Sequence, residues 1–301
     1  MRPRDLTDLL LLAALWGASF LFMRIAAPQF GPVALVEVRV VIAAVFLAAL
    51  LAWRGELAAL REQPGRLALL GTMNSALPFV LLTFATLHVT AGFAAILNAT
   101  VPLWTALIGW LWLRNAIRPL QWLGLGIGLA GVAVLVWGKA SVTPNATQLG
   151  TTLALLAALV ATAAYGLSAN YTRRYLAGTR PLVLATGSQI GAAVVLLVPA
   201  LLTWPAAMPG QLAWASAIPL GIACTALAYL LYFRLLARVG AVSASAVTFL
   251  IPVFATGWGA LFLGEGVTLQ MLAGGSVILA GTALALGLWP RPTARPVATL
   301  P

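Results

Sequence analysis

The sequence predicts an all-α integral membrane protein: ten transmembrane helices arranged as two inverted five-helix repeats around a central cavity. Three observations lead there. The 301 residues are 62% hydrophobic and 8% charged, too little polar surface to cover a water-soluble globule of this size. The apolar residues fall into ten runs, each close to the roughly 20 helical residues that cross a ~30 Å hydrocarbon core. The chain also repeats itself. Ala91 to Gly131 returns without a gap as Ala241 to Gly281, pairing Pro102 with Pro252, Gly109 with Gly259, Leu113 with Leu263 and Gly124 with Gly274.

The first run, 6–26, follows Arg2 and Arg4 as a signal peptide would. It continues past Gly17 and Ala18 into Phe20-Leu21-Phe22 with no small-residue cleavage site, so it reads as a retained helix. The remaining runs are 32–53, 66–87, 91–113, 119–138, 148–171, 181–203, 211–233, 241–263 and 268–289. Proline and glycine punctuate them at Pro28 to Pro32, Gln63-Pro64-Gly65, Arg118-Pro119, Thr143-Pro144-Asn145, Arg180-Pro181 and Pro205 to Gly210. Gly17, Arg24 and Pro32 recur 149 residues on as Gly166, Arg173 and Pro181, so helices one to five correspond to helices six to ten. Five is odd, and the second copy must therefore enter the membrane from the opposite face. The units are 1–140 and 141–289, with a disordered, proline-rich cytoplasmic tail over 290–301.

The formal net charge of +11 would suggest nucleic acid in a soluble domain. Here the arginines sit between apolar runs, where they set topology, and nucleic-acid binding is excluded. Fourteen of the 17 cationic residues fall on the N-terminal side; Arg24, Arg39 and Lys139 do not. That bias places both termini in the cytoplasm. The single cysteine, Cys224, excludes an internal disulfide, and with His88 the only histidine no Cys/His metal site can form. No cofactor is expected. Gly126 to Gly131 fits the dinucleotide pattern G-x-G-x-x-G but lies inside an apolar helix rather than after a strand, so its glycines serve close helix packing. Asn145-Ala146-Thr147 is a glycosylation sequon with meaning only in a secretory eukaryotic host. Nothing in the sequence specifies an oligomeric state.

Positions that keep their chemistry across an inverted pair mark where a site could lie. Four pairs do so: Trp16 with Tyr165, Phe79 with Tyr229, Asn98 with Thr248, and Trp104 with Phe254. Asn98 and Thr248 each stand one turn before a proline, Pro102 or Pro252, which should bend the helix and free a backbone carbonyl near mid-membrane. Asn74 and Gln189 are further polar candidates. Singly, each of these residues reads as core aromatic or interhelical hydrogen bond; as a set they mark a pathway, because polar groups at that depth are costly. Trp53, Trp137, Trp204, Trp214 and Trp289 fall at run ends and belong to the interfacial belt. Arg39 is the charge within a span, and its partner could be a substrate carboxylate, a backbone carbonyl or Glu265. Glu37 and Glu265 lie toward periplasmic helix ends, so no deep acidic proton relay is evident.

Leu15-Trp16-Gly17-Ala18-Ser19-Phe20 with Arg24, Arg39 after Pro32, and Pro252 followed by Leu263-Gly264-Glu265 and Gly274 resemble the EamA family of the drug/metabolite transporter superfamily. The likeness covers nearly the whole chain. It departs where Arg114-Asn115 stands in the first copy for Gly264-Glu265 in the second. The resemblance implies ten helices, cytoplasmic termini, a central cavity and export of metabolites or amino acids across a bacterial inner membrane. The aromatic-lined candidate cavity looks most like that of the YddG-type aromatic amino-acid exporters. The expected function is a secondary carrier exporting small amphipathic metabolites, amino acids with aromatic or apolar side chains first. Multidrug or lipophilic-cation efflux is the alternative, and lacks a deep acid. A membrane-embedded enzyme or sensor is the alternative of another class, and lacks a catalytic constellation or soluble domain.

Overall fold

The computed structural model describes residues 3–136, 147–244 and 247–287. The tail 290–301, Trp137, Lys139, Trp289 and the first two sequon residues, Asn145 and Ala146, lie outside the described residues.

Within the described residues all regular elements are helical, apart from one isolated bridge residue, Val89. We label the principal helices α1 (Pro3–Phe30), α2 (Pro32–Trp53), α3 (Pro64–His88), α4 (Ala91–Leu113, interrupted at 99–100), α5 (Pro119–Val136), α6 (Gln148–Tyr175), α7 (Pro181–Leu202), α8 (211–244), α9 (Val247–Leu263) and α10 (Leu269–Ala285). Among the described residues seven helices are long and apolar enough to cross a membrane, and three shorter ones are apolar as well.

Local chemistry explains the ends. Gly31, at a positive φ of 73° that a residue without a Cβ adopts freely, makes the bend that separates α1 from α2, and Pro32 then starts α2 where a missing N–H costs nothing. The Thr90, Thr147 and Thr268 hydroxyls accept from Phe93, Gly150 and Met271 N–H, capping α4, α6 and α10. One boundary differs from the sequence pattern. The apolar runs predict a loop between 233 and 241, but α8 runs on to residue 244 and α9 begins only at Val247. Arg234 and Arg238 mark the end of the apolar span, yet arginine is a good helix former, so the helix continues beyond it.

The principal helix contacts all run between 3–136 and 147–287. α5 lies along α10, α2 along α7, and α4 meets α9. α3 packs on α6 and α7, and α8 packs on α1 and α2. α1 crosses α9, as α6 crosses α4. Small residues permit this closeness. A Cβ on Gly17 would sit 2.7 Å from Phe254 Cβ, and one on Gly166 would sit 2.9 Å from Trp104 Cβ. The two glycines and the two aromatics are themselves repeat partners.

Candidate functional site

Among the described residues two helices carry a π turn, a single widened turn of a kind that concentrates at functional sites. In α3 it is Thr72–Ala76 and in α8 Ile222–Leu227, the same place in the repeat. Each follows a glycine pressed against the other half: Gly71 on Ser188, Gly191 and Ala192 of α7, and Gly221 on Arg39 and Ile42 of α2. The wider turn turns Asn74, Ser75 and Thr225 inward.

Arg39 is 4% exposed, so no bulk water solvates its charge. Its Nε donates to Thr225 Oγ1 at 2.9 Å, one terminal nitrogen approaches Met23 Sδ at 3.8 Å, and the guanidinium carbon lies 3.6 Å from the Phe79 ring centroid. Thr225 spends its own proton on Leu220 O at 2.8 Å, five residues back across the π turn, which leaves a lone pair for Arg39. Cation–π contact and one charged hydrogen bond are partial compensation for burying the cation; among the described residues no carboxylate or backbone carbonyl joins it. Glu265, one of the partners the sequence allowed for Arg39, is engaged elsewhere. Its Oε2 accepts Ala91 N–H at 2.8 Å and its Oε1 lies 3.4 Å from Arg24 Nε. Burial holds the Glu265 carboxyl above the ordinary carboxylate range, against the opposing pull of Ala91 N–H and Arg24.

The other half repeats this geometry without the charge. Fully buried Gln189 on α7 donates through Nε2 to Ser75 Oγ at 2.9 Å, and Ser75 is the repeat partner of Thr225. Gln189 Oε1 is buried with no hydrogen-bond partner among the described residues. Asn74 Nδ2 donates to the Tyr229 hydroxyl at 2.9 Å and its Oδ1 accepts from Ser168 at 3.1 Å. Phe79 and Tyr165 have ring centroids 6.4 Å apart. One constellation, in which Arg39, Phe79 and Gln189 are buried and Asn74, Tyr165 and Tyr229 half-buried, therefore holds a cation and neutral amides and hydroxyls beside aromatic rings.

The other sequence candidates make contacts of their own. Trp16 contacts Tyr232, at 5.5 Å between centroids. Trp104 and Phe254 sit at the helix crossings against Gly166 and Gly17. Asn98 Oδ1 is buried without a partner, Thr248 is half-buried, and no hydrogen bond joins the two among the described residues. Pro102 stands in the first turn of the second segment of α4, just beyond a break at Ala99 and Thr100, whereas α9 passes Pro252 without interruption. The two copies thus differ in helix continuity at this proline. Sequence reasoning missed Met23, Ser75, Ser168 and Thr225; the match of Ser75 to Thr225, two hydroxyls 150 residues apart, was the signal available.

A family model described as the EamA-like transporter family matches residues 8–137 and again 152–287. An uncharacterized inner membrane transporter of Escherichia coli, YedA, is 27% identical over 94% of this chain and 90% of its own length. A transporter of Bacillus subtilis, YdfC, is 29% identical over 90% and 87%. A probable terminal-alkyne amino-acid exporter of Streptantibioticus cattleyicolor is 28% identical over 92% and 91%. A protein of known crystal structure aligns with a TM-score of 0.67 over 96% of this chain and 98% of its own, at 20% identity, a likeness of fold. Two matches of one family model, in tandem, account for nearly all of the sequence, and the chain belongs to the EamA-like transporter family.

Proposed function

We propose that the chain is a secondary carrier of ten transmembrane helices, two inverted repeats of five, that exports small amphipathic metabolites by alternating access. Both termini face the cytoplasm of a bacterial cell, and amino acids with aromatic or apolar side chains are the leading substrates. Contacts exchanged symmetrically between 3–136 and 147–287 support the inverted arrangement. The observation that carries the substrate reading is Arg39: a guanidinium buried between the halves, without a counter-charge among the described residues, against an aromatic ring.

In this reading Arg39 receives a substrate carboxylate and exchanges an incomplete set of partners for a bidentate one. Gln189 Oε1 and the Asn74–Tyr229 pair offer acceptors for an ammonium group. Phe79 and Tyr165 border the apolar side chain. Trp16, Asn98, Trp104, Thr248 and Phe254 line the path rather than the central contact. A lipophilic cation would meet Arg39 as a like charge, which favours the amino-acid reading over cation efflux.

Proteoliposomes carrying the protein, given labelled tryptophan, threonine or a cationic dye with and without a pH gradient, test this. Tryptophan flux above that of protein-free vesicles is expected, with little dye flux. Absence of flux for every amino acid rejects the substrate class.

A further inference from the structure

Six carboxylates serve 17 cationic side chains, and most arginines among the described residues have no carboxylate partner. At the end where α1 begins, Asp8 lies 3.5 Å from Arg234 and 3.3 Å from Arg238, and Asp5 lies 3.6 Å from Arg238. Arg180 meets Glu56 at 3.1 Å. Where α3 begins and α6 ends, Arg66, Arg173 and Arg174 take part in no ion pair among the described residues. Glu62, the acid nearest to Arg66 along the chain, makes none either.

These arginines are nevertheless held. Arg66 donates to Gln63 Oε1 at 2.9 Å and to Tyr175 O at 3.2 Å, and Arg173 donates to Asn170 Oδ1 at 3.2 Å. The Tyr175 ring stands 6.0 Å from the Arg66 guanidinium and 5.3 Å from that of Arg174, which lies 5.5 Å from Trp112. Restraint of this kind means that less side-chain freedom is lost when an anion binds. Helix packing does not call for it: the repeat counterparts of Arg66, Arg174, Tyr175 and Trp112 are Ser216, Ile25, Ala26 and Phe262. Beside the cluster, Leu69 on α3 and Leu111 on α4 are 48% and 64% exposed, so apolar surface adjoins the charge.

We propose that Arg66 and Arg174, braced by Tyr175 and Trp112, hold the phosphate of an anionic phospholipid headgroup, with the acyl chains over the apolar surface beside Leu69 and Leu111. The proposal rests on reading these helices as membrane spans, and is independent of what the carrier transports. Fixed guanidinia at the level of an aromatic belt, next to lipid-facing leucines, match a headgroup phosphate in charge and in height.

The test is native mass spectrometry of the full chain in detergent, with phosphatidylglycerol and phosphatidylcholine added in equal amounts. The wild type is expected to retain phosphatidylglycerol preferentially. Each guanidinium is worth about 1 kcal/mol, roughly fivefold in retention, so R66Q/R174Q should lose most of that preference. R234Q/R238Q, at the neutralised corner, should keep it, and R66K/R174K, which keeps charge without planar stacking, should keep part. Equal retention of the two lipids by the wild type overturns the proposal, as does unchanged preference in R66Q/R174Q. Full displacement by inorganic phosphate at equal concentration overturns it in favour of a free-phosphate site. None of these readouts involves transport, so failure here and failure of the carrier reading are distinguishable.

Discussion

The π turn at Thr72–Ala76 and the π turn at Ile222–Leu227 occupy the same place in the two halves, yet the side chain that meets each is different. Ser75 receives neutral Gln189; Thr225 receives charged Arg39. Backbone geometry has been kept through the duplication, down to the glycine before each turn and the hydroxyl within it, while charge has been given to one side only. A symmetric pair of neutral sites would hold a substrate in either of two orientations. In the proposed carrier, one guanidinium and one amide in place of that pair would distinguish a carboxylate end from the rest of the molecule.

Removing that distinction should have the largest effect. Arg39→Gln makes the two sites chemically alike while leaving Thr225 a donor to pair with. A hydrogen bond to a charged group is worth about 1.5–3 kcal/mol, so the half-saturating concentration of a verified carboxylate substrate should rise roughly ten- to hundredfold. Proteoliposome uptake measures it. An unchanged value would mean that the asymmetry serves packing and not recognition.

The next effect concerns the geometry that the halves share. A Cβ on Gly71 would run into the Ser188 carbonyl oxygen and lie 2.7 Å from Ala192 N, all backbone. A Cβ on Gly221 would lie 2.8 Å from two Ile42 side-chain atoms and 3.1 Å from Arg39 O. Overpacking costs about 1–3 kcal/mol, with Gly71→Ala expected near the top of that range and Gly221→Ala near the bottom, since a side chain yields more readily than backbone. Thermal unfolding in detergent gives the order, and the reverse order would show that the π turns are not held by these contacts.

Rarity decides how much of this is legible in the sequence. A charge or a large aromatic inside an apolar span stands out, so Arg39, Phe79, Tyr165, Tyr229, Asn74 and Gln189 can all be named from the residues alone. Ser75, Thr225 and Ser168 do not stand out singly, because small hydroxyls are common in such helices and bond their own backbone when they have no other task; only the 150-residue match of Ser75 to Thr225 marks that pair. A π turn has no sequence signature of its own: Gly71 and Gly221 read equally well as plain close-packing positions. Helix ends are legible where a breaker marks them, as at Gly31-Pro32, and hidden after Tyr232, where arginine ends the apolar run without ending the helix. Asn98 and Thr248 stand out only if Pro102 and Pro252 act alike. Proline near the start of a helical segment is tolerated there, so its effect depends on where the segment begins, which sequence fixes least well.

The smallest prediction probes a second divergence between the copies, at the end of α4 and of α9. Both helices close through a left-handed residue, after which Asn115 N–H reaches Gly109 O at 3.2 Å and Glu265 N–H reaches Gly259 O at 3.1 Å. The residue in that turn is Arg114 in the first copy, at φ 54°, and Gly264 in the second, at φ 64°. A side chain there costs about 1–2 kcal/mol, part of which glycine returns through the freedom it adds to the unfolded chain. Arg114→Gly should therefore raise stability by up to about 1 kcal/mol, seen as a small increase in melting temperature with transport unchanged. A decrease would mean that Arg114 contributes more through its charge at the membrane surface than the turn loses through its shape, and that the first copy keeps arginine there for topology.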